Sequence, residues 1–406
     1  MKISQRVQRV EYSAIRKLSP LAEKAKKEGK KIYHLNIGAP DVDVPDVYYE
    51  TFQNVEKGPL PYAPSEGLES LRVAISNYYK NKNINYSPDE IIITNGGSEA
   101  LLFAVEAVAD AGDEIITTDP FYSNYNTVFQ QLNVSISAFK TSPETGFAIP
   151  SKEEIEKNVS DKSAAILLSN PTNPTGAMYS KDELMRICEI AKEHDLFIIA
   201  DEVYREFIYD DNNYISFGEI EDIEDRLILV DSISKRFAAC GARIGSIACK
   251  NKEFMSAIGK LATSRLAVAT IEQMAAAKLY EETDEYFEKV NREYQSRRDT
   301  IYEELIKIPG VKVEKPRGAF YIMPILPVDD SEDFAKWLLE SFDIDGETLM
   351  LAPADGFFKN PLDGKNMVRI AFILNNESIK KSMRILREGL EEYNSKNETR
   401  KSIKNS

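Results

Sequence analysis

Short apolar runs alternate with amphipathic segments through the middle of the chain. Several of these runs consist almost entirely of Ile, Leu, Val and Ala, which is typical of strands buried on both faces. Strands that alternate regularly with helices favour a mainly parallel sheet covered on both sides. The sequence therefore predicts an α/β fold with strands at residues 91–93, 115–117, 134–139, 164–168, 197–200, 227–230 and 244–248.

The segments before, between and after these runs have the apolar spacing of amphipathic helices. Helices are predicted at residues 12–18, 21–27, 68–79, 98–109, 180–194, 284–306, 333–340 and 378–393. Two helix starts also have the pattern of a capping box, in which a serine is followed three residues later by a glutamate. The two pairs are Ser180 with Glu183 and Ser151 with Glu154.

The length of 406 residues suits two domains rather than one. The alternation of strand and helix gives way to fewer apolar runs in the last third of the chain. We expect the N-terminal arm and the C-terminal part to form a smaller α+β domain beside the large one. The predicted boundaries are 1–50 for the arm, 51–295 for the large α/β domain, 296–395 for the smaller domain and 396–406 for a polar tail.

Composition and charge exclude some of the partners that this protein could bind. The chain has 51 basic and 66 acidic side chains, a net charge of −15. Phosphate backbones and anionic membranes select basic surfaces, so neither nucleic acid nor a membrane is an expected partner. The three cysteines have no spacing typical of zinc sites or disulfide frameworks, and no metal is expected. No signal peptide or apolar span is visible, so the cytoplasm is the expected location.

Residues 230–245 carry the strongest candidate chemistry. This stretch leaves a predicted strand and presents Ser232, Ser234 and Lys235, with Arg243 eight residues after the lysine. A lone lysine is usually a solvated surface residue. A lysine held partly out of water instead has a lowered pKa, and its amine can attack a carbonyl group. Because the hydroxyls and the guanidinium suit a phosphate monoester, the stretch indicates a cofactor with both groups, pyridoxal phosphate.

Polar residues also follow other predicted strands, where parallel sheets bind their ligands. Asp201 ends a strongly apolar strand, so it either holds a cation such as a protonated ring nitrogen or caps the next helix. Asn173 lies in a loop stiffened by two prolines and either donates to a phenolate oxygen or forms a plain turn. Tyr204 follows Asp201 by three residues and can hydrogen-bond the same ring oxygen.

The remaining candidates each have a plainer explanation. Gly97 and Ser98 open a helix whose N–H groups suit an anion, or they form an ordinary turn. Tyr122 suits either stacking on a ring or core packing. Arg369 lies in an apolar strand and needs a substrate carboxylate or an internal salt bridge. Gly38, just before a proline-containing break, is a ligand contact or a turn.

The motifs occur in a consistent order from about residue 36 to residue 372. The pattern Ser-x-Ser-Lys, then Gly-x-Arg-hydrophobic-Gly, resembles the lysine signature of fold-type I aminotransferases. Residues 170–176, Asn-Pro-Thr-Asn-Pro-Thr-Gly, carry a second marker of the same family. The chain is thus similar to class I/II aminotransferases of the aspartate aminotransferase family. The resemblance implies the type I transferase fold of pyridoxal-phosphate enzymes, with a mainly parallel, mixed seven-stranded sheet between helices and a smaller α+β domain.

The same resemblance implies a role for each candidate. Lys235 is expected to bind pyridoxal phosphate through an imine and then to move a proton between the substrate Cα and the cofactor. Asp201 is expected to pair with the ring nitrogen, and Tyr122 to stack on the ring. The other implied contacts are Asn173 and Tyr204 with the ring oxygen; Gly97, Ser98, Ser232, Ser234 and Arg243 with the phosphate; Gly38 and Arg369 with the substrate α-carboxylate; and Tyr62 with the phosphate of a neighbouring subunit, which implies a homodimer.

The implied substrates are an L-amino acid and a 2-oxo acid, commonly 2-oxoglutarate in the family. Bacterial aspartate enzymes similar to this chain often have a lysine for the side-chain carboxylate where Ser98 stands. Ser13 and Arg16 in the arm are candidate substitutes for that missing cation. Aspartate is one candidate donor, and alanine, aromatic and branched amino acids are the others.

Two other functional classes share parts of this pattern. A pyridoxal-phosphate lyase or synthase on the same fold, such as a C–S lyase, has the same cofactor residues. A regulator built on an aminotransferase domain carries an added DNA-binding segment, which an acidic chain of 406 residues does not suggest. The predicted function is therefore an aminotransferase, with the lyase as the alternative.

Overall fold

The computed structural model describes residues 1–10, 12–210 and 212–404, and from residue 397 onward it describes the backbone alone. The strands are β1 (Lys31–His34), β2 (Ile91–Thr94), β3 (Glu114–Asp119), β4 (Ser135–Lys140), β5 (Ser163–Ser169), β6 (Phe197–Asp201), β7 (Leu227–Ser232), β8 (Gly245–Ala248), β9 (Tyr321–Ile322), β10 (Glu347–Met350), β11 (Ala352–Pro353) and β12 (Val368–Ala371). The helices are α1 (Gln5–Arg9), α2 (Ser19–Lys27), α3 (Asp46–Gln53), α4 (Glu69–Asn81), α5 (Gly96–Val108), α6 (Ser123–Leu132), α7 (Lys152–Glu156), α8 (Lys181–Glu193), α9 (Ile233–Arg236), α10 (Lys252–Ser264), α11 (Thr270–Leu279), α12 (Asp284–Leu305), α13 (Ser331–Ser341) and α14 (Asn376–Lys404).

The predicted seven-stranded sheet is confirmed, with the strand order β2-β8-β7-β6-β5-β3-β4. Strands β3 to β7 pair in parallel, whereas β8 runs antiparallel to both β7 and β2. The register places Ser169 of β5 opposite Asp201 of β6, and Asp201 opposite Val230 of β7. Because these strands are parallel, their carboxyl ends meet at one edge of the sheet. The residues that follow them are thereby brought together.

Helices cover both faces of this sheet, as the nearly continuous apolar strands predict. Ile198 packs into the core that α8 completes with Leu184 and Ile187. Its neighbour Ile199 points the other way, into the core that α5 completes with Ala104. Successive strand residues face opposite sides, so a strand buried on both faces needs apolar residues at both parities. Burying each of the leucine and isoleucine side chains stabilises the fold by about 1.5–3 kcal/mol.

A second core lies beside the large sheet. It contains the antiparallel sheet β11-β12-β9 and the parallel pair of β1 with β10. Helix α13 contributes Phe334 and Leu338 to this core, and α14 contributes Ile379 and Met383. Residues from the loop after β6, Tyr204 among them, also pack into it. The carboxyl edge of the large sheet therefore faces the second core.

Several local predictions change in the structure. The capping box at Ser180 forms, with the Glu183 carboxylate accepting from the Ser180 N–H at 2.8 Å. The box predicted at Ser151 is wrong, because its side chain makes no cap to the five-residue helix α7. The helix predicted at 12–18 is also wrong: residues 14–18 form turns, and Lys17 binds Asp355 at 2.8 Å instead.

The last helix is longer than predicted. Helix α14 continues to Lys404, through most of the segment predicted as a polar tail. None of the helices in the described parts of the chain combines the length and the apolar composition of a membrane span.

Candidate active site

A cavity of about 620 Å³ lies where the carboxyl edge of the large sheet faces the second core. Side chains from β6, β7, α5 and the N-terminal segment converge on it. Of the thirteen predicted site residues, Tyr62 is the exception that does not line this cavity. The others are Gly38, Gly97, Ser98, Tyr122, Asn173, Asp201, Tyr204, Ser232, Ser234, Lys235, Arg243 and Arg369.

Lys235 extends from the four-residue helix α9 into the cavity. Its Nζ donates to the Gly38 carbonyl at 2.7 Å and lies 3.8 Å from the Cys240 sulfur. Burial lowers the pKa of the Lys235 amine, and the nearby positive charges of Arg369 and Arg243 lower it further. Within the described parts of the chain no carboxylate pairs with this amine. Such an amine has the chemistry of a nucleophile or a base.

Asp201 ends β6 with 4% of its surface exposed. Its Oδ2 accepts from the Tyr125 hydroxyl at 2.8 Å, whereas its Oδ1 has no partner with good hydrogen-bond geometry among the described residues. Burial raises the pKa of the Asp201 carboxyl to about 6. A buried carboxylate oxygen without a partner is rare and costly. Asp201 is therefore built to receive a cationic or hydrogen-bonding group from a ligand.

Donors for an anion gather at the start of α5 and around β7. Gly96, with φ of 76°, lies against Arg243: a Cβ at Gly96 would be 2.3 Å from Nη2 of that guanidinium. Ser232 Oγ lies 2.8 Å from Ser234 Oγ. Both serines, Arg243 and the N-terminus of α5 line the cavity together. A helix N-terminus, two hydroxyls and a guanidinium form an arrangement that suits a phosphate group.

Arg369 of β12 is 1% exposed and has no ion pair with any described residue, so the alternative of an internal salt bridge is wrong. One Nη donates to Asn173 Oδ1 at 3.1 Å and the other to the Asn36 carbonyl. The Nε of Arg369 has no hydrogen-bond partner in the described part of the chain. The guanidinium packs over the ring of Tyr321, with 4.5 Å from its carbon to the ring centroid. A buried guanidinium with a free donor is suited to bind a carboxylate.

Aromatic side chains line the wall near Arg369. The hydroxyls of Tyr204 and Tyr321 lie 2.8 Å apart. Gly38 is required here, since a Cβ at this position would lie 1.9 Å from the Tyr321 hydroxyl. Tyr122 lies edge-on to Tyr125, with 5.4 Å between ring centroids. The aromatic rings thus bound the space between Asp201 and Arg369.

Tyr62 differs from this group in its setting, whereas the two arm residues named as candidate substitutes do not. Tyr62 is 81% exposed and lies outside the cavity. Arg16, which was only a candidate substitute, does line the cavity together with Ser13. The arm that carries both is fastened to the rest of the protein, because Asn36 Nδ2 donates to the Ile15 carbonyl at 2.8 Å and Lys17 binds Asp355.

Sequence reasoning missed three contributors to the site. Tyr125 binds the Asp201 carboxylate, Asn36 fixes Arg369 through its carbonyl, and Cys240 touches Lys235. Tyr125 offered a signal, since it lies one helical turn after Tyr122 at the start of a helix. The other two contacts carry no such pattern, because Asn36 acts through its backbone and Cys240 through a turn.

Comparison with known proteins decides the family. The model of the family described as "Aminotransferase class I and II" matches residues 30–345. The chain belongs to the class I and II aminotransferases. The predictions of an aminotransferase and of its fold are thereby confirmed. Enzymes of this family depend on pyridoxal phosphate and move an amino group from an amino acid to a 2-oxo acid.

Similar aminotransferases differ in the substrates that their names give. A probable aspartate/prephenate aminotransferase of Aquifex aeolicus is 29% identical, covering 96% of this chain and 99% of the relative. A (5-formylfuran-3-yl)methyl phosphate transaminase of Methanocaldococcus jannaschii is 33% identical, with coverage of 96% and 99%. The solved structure of an alanine aminotransferase from Pyrococcus furiosus has a TM-score of 0.88 at 31% identity, covering 96% of this chain and 100% of that one.

Proposed function

We propose that this aminotransferase binds pyridoxal phosphate in the cavity, with Asp201 at the ring nitrogen and Lys235 beside the reacting carbon. The unpaired Oδ1 of Asp201 carries the proposal. A protonated pyridine nitrogen is the cation that this buried carboxylate lacks, and the residues present fit the cofactor. When bound, the cofactor supplies a ring that draws off the negative charge left at the substrate Cα.

The other predicted cofactor residues fit the same placement. Arg243, Ser232 and Ser234 are proposed to hold the phosphate, together with the N–H groups of Gly97 and Ser98. Their support is the meeting of hydroxyls, guanidinium and helix N-terminus in one part of the cavity. Asn173 and Tyr204 are proposed to hold the ring oxygen, and Tyr122 to stack on the ring.

Arg369 is proposed to bind the α-carboxylate of the amino acid. Its free Nε and its lack of an internal carboxylate support this role. Gly38 lines the same cavity, and its carbonyl accepts from Lys235 Nζ. With the carboxylate held, the substrate Cα–H is oriented toward the lysine. The lowered pKa of Lys235 keeps more of its amine neutral, so that Nζ takes the Cα proton and later returns one.

The acceptor is proposed to be 2-oxoglutarate and the donor an amino acid with a second anionic group, aspartate in the first instance. Arg16 and Ser13 support this choice because both line the cavity. A guanidinium there suits a distal carboxylate. Rates with a panel of amino acids and 2-oxoglutarate test this choice, with alanine, phenylalanine and leucine as competitors. Turnover of alanine with none of aspartate would contradict it.

A homodimer with shared active sites is also proposed. Tyr62 is exposed, and so are the large apolar side chains of Tyr49, Phe52, Leu60 and Leu266. Exposed apolar side chains of this size are typical of protein–protein interfaces when they lie together. Light scattering should give twice the chain mass, and Tyr62→Phe should weaken cofactor retention without changing that mass. A monomer that turns over at the full rate would contradict shared sites.

The decisive experiment is reductive trapping. Borohydride treatment of the yellow holoenzyme, followed by peptide mapping, should place the pyridoxyl label on Lys235. The variant Lys235→Ala should keep the fold and lose transamination by at least about 10⁴-fold. The matched control Lys250→Ala, two residues after β8 ends, should keep its activity. A label on another lysine would overturn the assignment.

A further inference from the structure

Cys240 lies against the amine of Lys235. The sulfur is 3.8 Å from Nζ, which also donates to the Gly38 carbonyl at 2.7 Å. Cys240 Sγ in turn donates to the Ser234 carbonyl at 3.0 Å. With the thiol hydrogen directed at that carbonyl, the sulfur lone pairs are left for the amine. The amine therefore has two acceptors, of which only the sulfur can ionise.

The backbone of Cys240 reaches a second site residue. Arg243 Nη1 donates to the Cys240 carbonyl at 3.0 Å. Cys240 opens the turn Cys240–Ala242, and Arg243 follows it in the left-handed conformation with φ of 54°. A single residue thus contacts both the amine and the guanidinium proposed to hold the phosphate. A change in its side chain acts on the lysine, while its carbonyl keeps the arginine in place.

The charges around this pair are few. Arg243 and Arg369 face Lys235 and disfavour a second positive charge there. Tyr321 faces Cys240, and burial raises the pKa of its phenol to about 12, so the phenol stays neutral. No carboxylate among the described residues pairs with Lys235. The thiol is thus the nearby group whose loss of a proton would favour the ammonium form.

We propose that Cys240 is a positioning residue for Lys235: its sulfur accepts from Nζ and holds the amine in the cavity, and an ammonium and a thiolate at this contact stabilise each other. The proposal rests on the role given to Lys235 above. A measurement on the thiol itself reads the contact directly, so it can fail while the cofactor assignment stands.

The first test is the alkylation rate of Cys240 by iodoacetamide as a function of pH. Full-length protein and its Lys235→Met variant are compared after hydroxylamine removes the cofactor from both. Alkylation of Cys240 near neutral pH should be several-fold faster when the lysine is present, because an ammonium group beside the sulfur stabilises the reactive thiolate. Cys188 and Cys249 are buried and serve as unreactive internal controls, since burial raises both thiol pKa values to about 12. Coinciding curves would overturn the proposal.

The second test separates positioning from structure. Cys240→Ser keeps an acceptor near the amine but does not ionise, whereas Cys240→Ala removes the acceptor. The serine variant should retain most of kcat with a shifted acid limb of the pH profile, and the alanine variant should lose about 3–10-fold in kcat with KM unchanged. Near-ultraviolet circular dichroism checks that both are folded. Equal kcat and equal pH profiles in all three proteins would overturn the proposal.

Discussion

Asp201 and Asp231 lie near the ends of neighbouring strands. They show two different uses of a buried aspartate. They are 4% and 0% exposed. Asp231 accepts from Arg236 Nη2 at 2.6 Å and from the Tyr79 hydroxyl at 3.2 Å. Among the side chains that the structure describes, Asp201 accepts from the Tyr125 hydroxyl alone, and its Oδ1 has no partner there. The carboxylate of Asp231 is paired with a cation of the protein, whereas the carboxylate of Asp201 is available to a ligand.

The same division recurs along the chain. Asp201 is followed by Glu202, whose carboxylate pairs with Arg205 at 2.7 Å. Lys235 is followed by Arg236, the partner of Asp231. In both segments, one residue thus faces the cavity and the next residue faces a layer of buried ion pairs behind it. Such pairs add little net stability but penalise any arrangement that separates them, and so this layer fixes where the cavity residues lie.

The largest expected effect comes from breaking the paired aspartate. Asp231→Asn leaves the buried guanidinium of Arg236 without its anion and should lower the free energy of unfolding by about 3–5 kcal/mol. Urea denaturation of the cofactor-free protein measures it. The matched control is Asp195→Asn at a surface pair with Arg226, which should show no measurable change. Equal stability of the two variants would mean that the buried pair contributes nothing.

Changing the unpaired aspartate should affect activity instead. In Asp201→Asn the proposed partner of the ring nitrogen loses its charge, so kcat/KM should fall by roughly 10²–10³-fold, about 3–4 kcal/mol. The stability of the cofactor-free protein should not fall, because an amide oxygen still accepts from Tyr125. Steady-state kinetics and urea denaturation of one preparation measure both. A variant that is unstable but turns over normally when folded would reverse the assignment of the two aspartates.

The pattern of apolar runs predicted the sheet, because strands buried on both faces leave a clear mark in sequence. The cavity residues could also be predicted from the sequence, since they follow those strands and match family motifs. The difference between Asp201 and Asp231 could not be predicted. Both end apolar runs, and their partners are set by packing: Tyr125 and Tyr79 lie far along the chain from the carboxylates they bind. A helix does begin directly after Ser151, as predicted, but its capping box does not form. The helix predicted at residues 12–18 failed where a tertiary contact, Lys17 with Asp355, outweighs local propensity.

The pH dependence of stability offers a smaller test. Burial raises the folded-state pKa of Asp201 to about 6, above the value of 3.8 for a free carboxyl. The cofactor-free fold therefore holds this proton between about pH 4 and pH 6, and stability falls as pH rises through that range, by up to about 3 kcal/mol. The stability advantage of Asp201→Asn over wild type should grow from pH 4 to pH 6 and then stay constant.

The difference in free energy of unfolding between the variant and wild type excludes the contributions of other titrating groups. Burial also raises the pKa of Asp119 to about 6, but Asp119 is present in both proteins, so its contribution cancels. Thermal or urea denaturation at half-unit pH steps gives the curve. A difference that does not change with pH would show that Asp201 keeps its charge without a ligand, and the contrast with Asp231 would then disappear.

The smallest expected change in stability gives the sharpest test of the contrast between Asp231 and Asp201. Replacing both members of the buried pair, Asp231→Leu with Arg236→Met, removes two charges together and keeps apolar volume in the layer. Because neither charge is left alone, stability should return to within about 1 kcal/mol of wild type, against the large loss in Asp231→Asn. If the layer fixes the cavity residues, kcat/KM should nonetheless stay below wild type, since the charges that disfavour other arrangements are gone. Denaturation and kinetics of wild type, Asp231→Asn and the double variant test this. Full activity in the double variant would mean that the pair only fills space and does not position Lys235.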